Sequence, residues 1–278
     1  MRHSAGGCRP AIAGLIDETR LRTARRQARR LVVLVASLLV PIVPAAAQPA
    51  AAGAPPAADL LRAADRARGG VASGITWTAT VDSTEDGQTT SRTFLVKARD
   101  TDALVEALAP PRHKGEVMLF NDRTIWFVKP GLRKPVSVSA RQRLSGEAAN
   151  GDIATTNYAR DYEGTVVGEE PVGEEAAWRL ELKAKAKNVT YDRIRYWISK
   201  GRRLGLKAEF LTLGGDLFKT ATFEYENTLR SGGARFEFVS RMAIRSATGS
   251  GGQTTIRFDA PRHETHPPSM FNINNVVR

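Results

Sequence analysis

The sequence predicts a mostly β protein: an antiparallel meander of about 10–12 strands, curved toward a half-open barrel with short helices as a lid at its mouth. Three observations predict it. Short runs that alternate apolar and polar residues recur from 75 to 260, joined by Gly, Asp or Asn turns. Helical and strand patterns do not alternate, which argues against a parallel α/β sheet. In the run 178–185, Trp178, Leu180, Leu182 and Ala184 point one way and Arg179, Glu181, Lys183 and Lys185 the other. That is a strand with one dry face and one wet face.

The chain opens with a different pattern. ARRQARR (24–30) is a cationic stretch, LVVLVASLLVPIV (31–43) an apolar core, and Ala45 and Ala47 form an A-x-A site. That order predicts a secretory signal peptide over 1–47, cleaved after Ala47. The thirteen apolar residues fall short of the ~20 that span a bilayer. Cys8, the sole cysteine, lies inside this leader, so the mature chain has no disulfide and holds together by burial. Residues 48–57, rich in Ala and Pro, read as a flexible linker, and 58–278 as a single domain.

The elements follow in order. ADLLRAADRAR (58–68) spaces Leu60, Leu61, Ala64 and Ala67 as a helix, which GG (69–70) stops. Strands are expected at 75–81, 90–98, 101–109, 115–120, 123–128, 164–170, 177–185, 191–199, 207–213, 217–226, 235–246 and 254–260. VMLF (117–120) and IWFV (125–128) are apolar on both sides, as if something packs on their back. The longest break in the meander, 130–158, contains ARQRLSGEAANGDI, which predicts one or two short helices with Asn150 as N-cap and Gly146 as a stop. Together with the helix at 58–68, these are the available plugs for the mouth.

Charge and motifs exclude several function classes. Residues 1–47 carry eight arginines against two acids, leaving 33 basic and 27 acidic residues, a net +6, in the remainder. That mild excess is spread along the strands, without the basic face or module of a nucleic-acid binder; it is compatible with a weak attraction to anionic lipid. No G-x-S-x-G elbow, H-E-x-x-H helix or phosphate-binding glycine loop is present. His263 and His266 flank Glu264 in a proline-bearing loop, two ligands without a third, so they read as exposed loop histidines rather than a metal site. The polar stretch 142–164 holds Arg143, Asp152, Arg160, Asp161 and Glu163 but no marked nucleophile and base, and reads as lid and hinge. Gln142, Arg143, Gly146, Asn150, Gly151, Asp152 and Asp161 are its candidate hinge residues, with Arg143 or Arg160 able to pair with either aspartate. No catalytic residue and no cofactor is expected.

At this point the residues resemble the outer-membrane lipoprotein-sorting branch of the LolA/LolB-like superfamily. The match runs from about Ala98 to Asn227. Its marks are the Trp126…Pro130 strand end, the Gln142-Arg143-Leu144-Ser145-Gly146 run, Asn150-Gly151-Asp152, Asn157-Tyr158…Asp161-Tyr162, and Tyr191…Tyr196-Trp197. The resemblance implies a half-open barrel with a helical lid over an apolar cavity. It also implies a periplasmic, non-catalytic carrier, without cofactor, that shelters the acyl chains of a lipoprotein or another lipid between two membranes. An inner-membrane permease or exporter and an outer-membrane acceptor are the partners it implies, and a monomer is expected.

Physical chemistry agrees, because an acyl chain needs only apolar area and exclusion of water, roughly 0.8 kcal/mol per CH₂ buried. The candidate wall residues lie on the dry faces: Ile75 and Trp77; Leu119 and Phe127; Trp178, Leu180 and Leu182; Phe210; Phe236 and Phe238; Met242 and Ile244. Alternation alone is equally the mark of a closed core, and only the resemblance favours a hollow one. Two other functions stay open: an adaptor of an export system with a filled interior, and a lipid-processing enzyme with a polar array at the mouth.

Overall fold

The computed structural model of the protein describes residues 53–276 apart from 122, 232–233 and 250. The expected leader and its cleavage point lie outside the described residues, as do residues 48–52 of the expected linker.

The chain begins with the helix α1 (Ala57–Arg66), then runs as β1 (Ile75–Glu85), β2 (Gln88–Arg99), β3 (Asp102–Ala109), β4 (Val117–Asn121), β5 (Thr124–Val128) and β6 (Val136–Val138). A small hairpin follows, β7 (Arg143–Ser145) and β8 (Ala148–Ala149), then a 3-10 turn at Asn150–Asp152 and the short helix α2 (Tyr158–Asp161). The second run is β9 (Tyr162–Glu169), β10 (Ala177–Ala184), β11 (Arg193–Ser199), β12 (Gly205–Leu211), β13 (Leu217–Glu224), β14 (Asn227–Ser231), β15 (Ala234–Phe238), β16 (Arg241–Ser246) and β17 (Gln253–His263). A 3-10 turn at Pro268–Phe271 and α3 (Ile273–Val276) end it.

The fold is mostly antiparallel β. The large sheet has thirteen strands, in the order β6-β5-β4-β3-β2-β1-β17-β16-β13-β12-β11-β10-β9, rather than ten to twelve. It is not closed by pairing: β6 and β9 are its two edges. Four elements were not expected as strands, β6, β7, β8 and β14, and the run 235–246 breaks at Val239 into β15 and β16. β14 and β15 leave the large sheet and pair only with each other.

Local chemistry explains the hairpins. Asp86 and Gly87 take φ of 49° and 75°, the two positive angles that a type I′ turn needs between β1 and β2. Gly69, after α1, takes φ of 104°, and a Cβ there would meet Thr155 at 2.9 Å, so only glycine fits between helix and plug.

The dry face buries Ile75, Trp77, Ala79 and Val81 of β1, Phe94, Val96 and Ala98 of β2, and Leu180, Ile194, Ala208, Phe210, Ala221, Met242, Ile244 and Ile256 across the rest. Over it lie α1, α2 and the chain from β7 to α2. This plug differs from the helices expected between 140 and 153. Arg143 and Ser145 pair with Ala149 and Ala148, Gly146 is the hairpin turn at φ of 53°, and Asn150 opens a 3-10 turn instead of capping a helix. The helix-forming Ala and Glu here yield to hairpin pairing and burial, as local propensity does when packing opposes it.

The wet face is covered at one end. Leu104, Leu119 and Phe271 form a separate cluster with Trp126, Met270, Ile273 and Val276 against it. The C-terminal segment therefore packs on the back of β4 and β5, the runs that read as apolar on both sides. Leu119 belongs to this cluster and faces away from the interior, which corrects its assignment to the inner wall. Among the described residues no helix is long and apolar enough to cross a membrane.

Candidate functional site

The interior divides into a filled half and a hollow half. Under β9 to β16 the space is occupied by aromatic rings. Tyr191 stacks on Phe210 with centroids 3.7 Å apart, Tyr158 meets Tyr162 and Tyr196 edge-on at 5.3 and 5.4 Å, and Trp77 meets Phe238 at 5.6 Å. Ile75, Trp77, Leu180, Leu182, Phe210, Phe238, Met242 and Ile244 are all buried in this core, with no more than 2% of their surface exposed. Trp178 packs at its border beneath the Lys200 ammonium, 4.3 Å from the ring centroid. Phe236, half-buried on the two-stranded ribbon, packs against the edge of this core under the Arg66 guanidinium at 4.9 Å.

The hollow half lies between the dry face of β2–β6 and the β7–β8 hairpin. It is a pocket of about 180 Å³. Phe94, Val105, Ala107, Met118, Phe127 and Val138 make its apolar floor, and Gln142, Arg143, Leu144 and Asn150 its roof. Strand pairing puts the floor residues together: Val105 lies opposite Met118, Met118 opposite Phe127, and Ile125 opposite Val138. Of the twelve wall residues expected from sequence, Phe127 alone lines this pocket.

Its rim is charged. The Arg92 guanidinium lies 5.0 Å from the Phe94 ring centroid and donates to the Leu144 carbonyl at 3.1 Å and to Glu116 at 3.2 Å. Glu116 also holds His113 at 3.0 Å and Lys129 at 3.2 Å. Burial raises the Glu116 carboxyl, but hydrogen bonds from His113 and Lys129 outweigh it and keep the group below the usual carboxylate range. Burial lowers the Arg92 guanidinium, and its Nε is buried without a hydrogen-bond partner. Sequence reasoning missed Arg92 and Glu116, because Arg92 sits in an ordinary strand and nothing marks which turn Glu116 faces.

The roof is anchored by its own polar residues. Asp152, buried, accepts from the Ala149 N–H at 2.9 Å and from the Tyr191 hydroxyl. The Asn150 amide donates to the Ser139 carbonyl at 3.0 Å, and Gly151 packs so closely on Thr190 that a Cβ would collide with it. Asp161 pairs with Arg160 and with Arg123, each at 2.8 Å. Arg143 pairs with Glu85 at 2.9 Å rather than with either aspartate of its own segment. Gln142 receives the Asn150 N–H on its carbonyl at 2.9 Å.

Two buried ionisable groups of α1 and its exit were not foreseen. Asp65 accepts the Tyr158 and Ala159 N–H groups at 3.0 and 2.9 Å, capping α2 from another element. Arg68 lies 4.5 Å from the Phe223 ring centroid and donates to the Met242 sulfur at 3.6 Å, while its Nε and Nη1 have no partner. The histidines of the 263–266 loop also differ from expectation. His266 is buried against the Thr76 hydroxyl at 2.9 Å, whereas His263 meets Ser73 at 2.6 Å.

Three solved structures show the same fold. A LolA superfamily protein from Nitrosomonas europaea is 26% identical, with a TM-score of 0.71 over 79% of this chain and 98% of its own. An outer membrane lipoprotein-sorting protein domain from Vibrio parahaemolyticus is 20% identical, TM-score 0.68, over 80% and 98%. A DUF1329 family protein from Desulfovibrio piger is 20% identical, TM-score 0.66, over 79% and 97%. The fold is therefore LolA-like. None of the curated proteins compared with the chain matches it significantly. A family model described as "-like: Uncharacterized protein" matches residues 99–278.

Proposed function

The chain belongs to the family whose model spans residues 99–278, and from that footing and the LolA-like fold we propose that it is a periplasmic, non-catalytic carrier of acyl chains. Its cargo is a lipoprotein or another lipid, moved toward the outer membrane. The observation that carries this reading is the apolar floor of Phe94, Val105, Ala107, Met118, Phe127 and Val138, roofed by a separate hairpin, with Arg92, Glu116 and Arg143 as the charged residues of its lining. Such a site offers area and dryness and no reacting group. The solved relatives named for lipoprotein sorting support the same direction, and the leader pattern of the sequence supports the compartment.

At about 180 Å³ the pocket is smaller than the roughly 300–1,000 Å³ of ordinary ligand sites. Loading a long chain therefore requires the β7–β8 hairpin to lift from the floor. The roof residues Gln142, Arg143, Gly146, Asn150, Gly151, Asp152 and Asp161 are the ones that this motion would rearrange, and Arg92, with its free Nε, is placed to meet a polar head group at the rim.

The filled half of the interior favours a second reading, an adaptor that docks an inner-membrane exporter and carries nothing. One experiment separates the two. Protein isolated without detergent is extracted and its lipids identified by mass spectrometry, and the delipidated protein is titrated with a fluorescent fatty acid. Co-purifying lipid and saturable probe binding support the carrier. Lipid-free preparations that ignore the probe leave the adaptor.

A further inference from the structure

Three of the five large apolar side chains exposed among the described residues, Leu108, Leu132 and Val136, at 45%, 45% and 44%, fall at one end of the sheet. Two turns meet there. One runs from the end of β3 to β4 and the other from β5 to β6, and a Cβ on Gly115 would touch the Pro130 ring at 3.0 Å. The Lys129–Glu116 pair also joins them.

The exposed charge on these two turns has one sign. Arg112, Lys114, Lys129, Arg133 and Lys134 are exposed on the two turns, and the sequence from 124 to 146 contains no Asp or Glu. The one acid on the two turns, Glu116, is buried and already holds Arg92, His113 and Lys129. Arg112, Lys114, Arg133 and Lys134 have no carboxylate partner among the described residues. Pro110, Pro111, Pro130 and Pro135 stiffen the turns that carry them.

We infer that this tip docks on a bilayer surface carrying anionic lipid, with the four unpaired cations on head-group phosphates and Leu132 and Val136 at the acyl boundary. Basic side chains interleaved with exposed apolar ones form the usual interfacial combination, in which hydrophobic area and charge attraction add. The apolar residues are separated by charged ones and form no shaped pocket, so a fluid surface fits them better than a folded partner with a hot-spot cluster. Glu116 belongs both to this tip and to the rim of the pocket, so docking brings the pocket mouth to the membrane. The inference goes beyond the carrier reading and stands even for an empty pocket.

Cosedimentation of the exported protein with vesicles tests it. Phosphatidylcholine vesicles containing phosphatidylglycerol should bind the protein in a salt-sensitive way, and phosphatidylcholine alone should not. Each cation removed should weaken binding about fivefold, so R133Q/K134Q should lose about twenty-five-fold. L132S, with all charges kept, should also bind less. The control K183Q/R245Q removes two cations elsewhere on the sheet and should bind as the wild type does. Equal binding to both vesicle types, wild-type binding by R133Q/K134Q, or an equal loss in the control would each overturn the inference.

Discussion

The Tyr191 hydroxyl donates to both carboxylate oxygens of Asp152, at 3.0 and 2.8 Å. It ties the pocket roof to the filled half of the molecule, because the Tyr191 ring is stacked on Phe210. Burial pushes the Asp152 carboxyl above its ordinary range, so each remaining donor matters. Tyr191→Phe keeps the ring and strips the donor. A loss of about 1–3 kcal/mol is expected by chemical denaturation, the usual cost of leaving a buried acceptor short. Unchanged stability would mean that the roof is fastened elsewhere.

Arg141 makes a second tie. Its two terminal nitrogens donate to Asp192 at 2.7 and 2.5 Å, and its Nε donates to the Val189 carbonyl at 3.0 Å. With the Arg141 side chain 43% exposed, this pair contributes no more than about 1 kcal/mol to stability. Its effect should instead be kinetic. Asp192→Ala is expected to leave the melting temperature nearly unchanged and to speed the entry of a fluorescent acyl probe in stopped flow. Identical entry rates would take Arg141 out of the gate.

Asp65 predicts an unusual dependence on pH. Burial raises its carboxyl to about 7 from 3.8, against the backbone hydrogen bonds of Ala159 and Tyr158. Between those values the folded chain holds a proton that the unfolded chain has released, so this group's contribution to stability falls as pH rises. Asp65→Asn cannot titrate. The stability of the wild type relative to this variant should decline from about pH 4 to about pH 7, on the order of a few kcal/mol. A constant difference across that window would show that the Asp65 pKa is the same folded and unfolded.

Ala107 contributes little volume to the pocket floor, and Ala107→Phe would fill part of it. The overpacking is expected to cost about 1–3 kcal/mol, leaving a folded protein by circular dichroism. Affinity for an acyl probe should drop tenfold or more. If the filled variant binds as the wild type does, the probe sits somewhere other than this pocket.

The strand pattern was legible because one wet face forces a period of two, and Trp178, Leu180 and Leu182 do lie buried on one side. The double apolar character of 117–120 and 125–128 also carried a true signal, since residues 270–276 cover their back. The sequence could not tell which apolar partner each face meets, and Leu119 was therefore assigned to the wrong side. The segment 140–153 was misread as helix because composition says nothing of the long-range contacts at Gly146, where Ser83 and Thr254 approach too closely for any Cβ. Whether a dry face is filled or hollow depends on side chains from distant strands, such as Trp77 against Phe238, and no periodicity encodes that. Arg68 was equally hidden, since a cation at a helix end ordinarily points to water.

The strand made last, β17, lies between β1 and β16 and is the sole neighbour that joins the run β1–β6 to the run from β9 onward. Each run can zip up by short hairpins on its own, yet the two join in one sheet only through residue 253 and those after it. Completion is thus a single long-range event, the kind that slows folding and leaves two bare edges waiting. A chain cut before β17 would hold two unattached sheets, and the hairpin over the pocket would lose the Thr254 hydroxyl that accepts the Glu147 N–H.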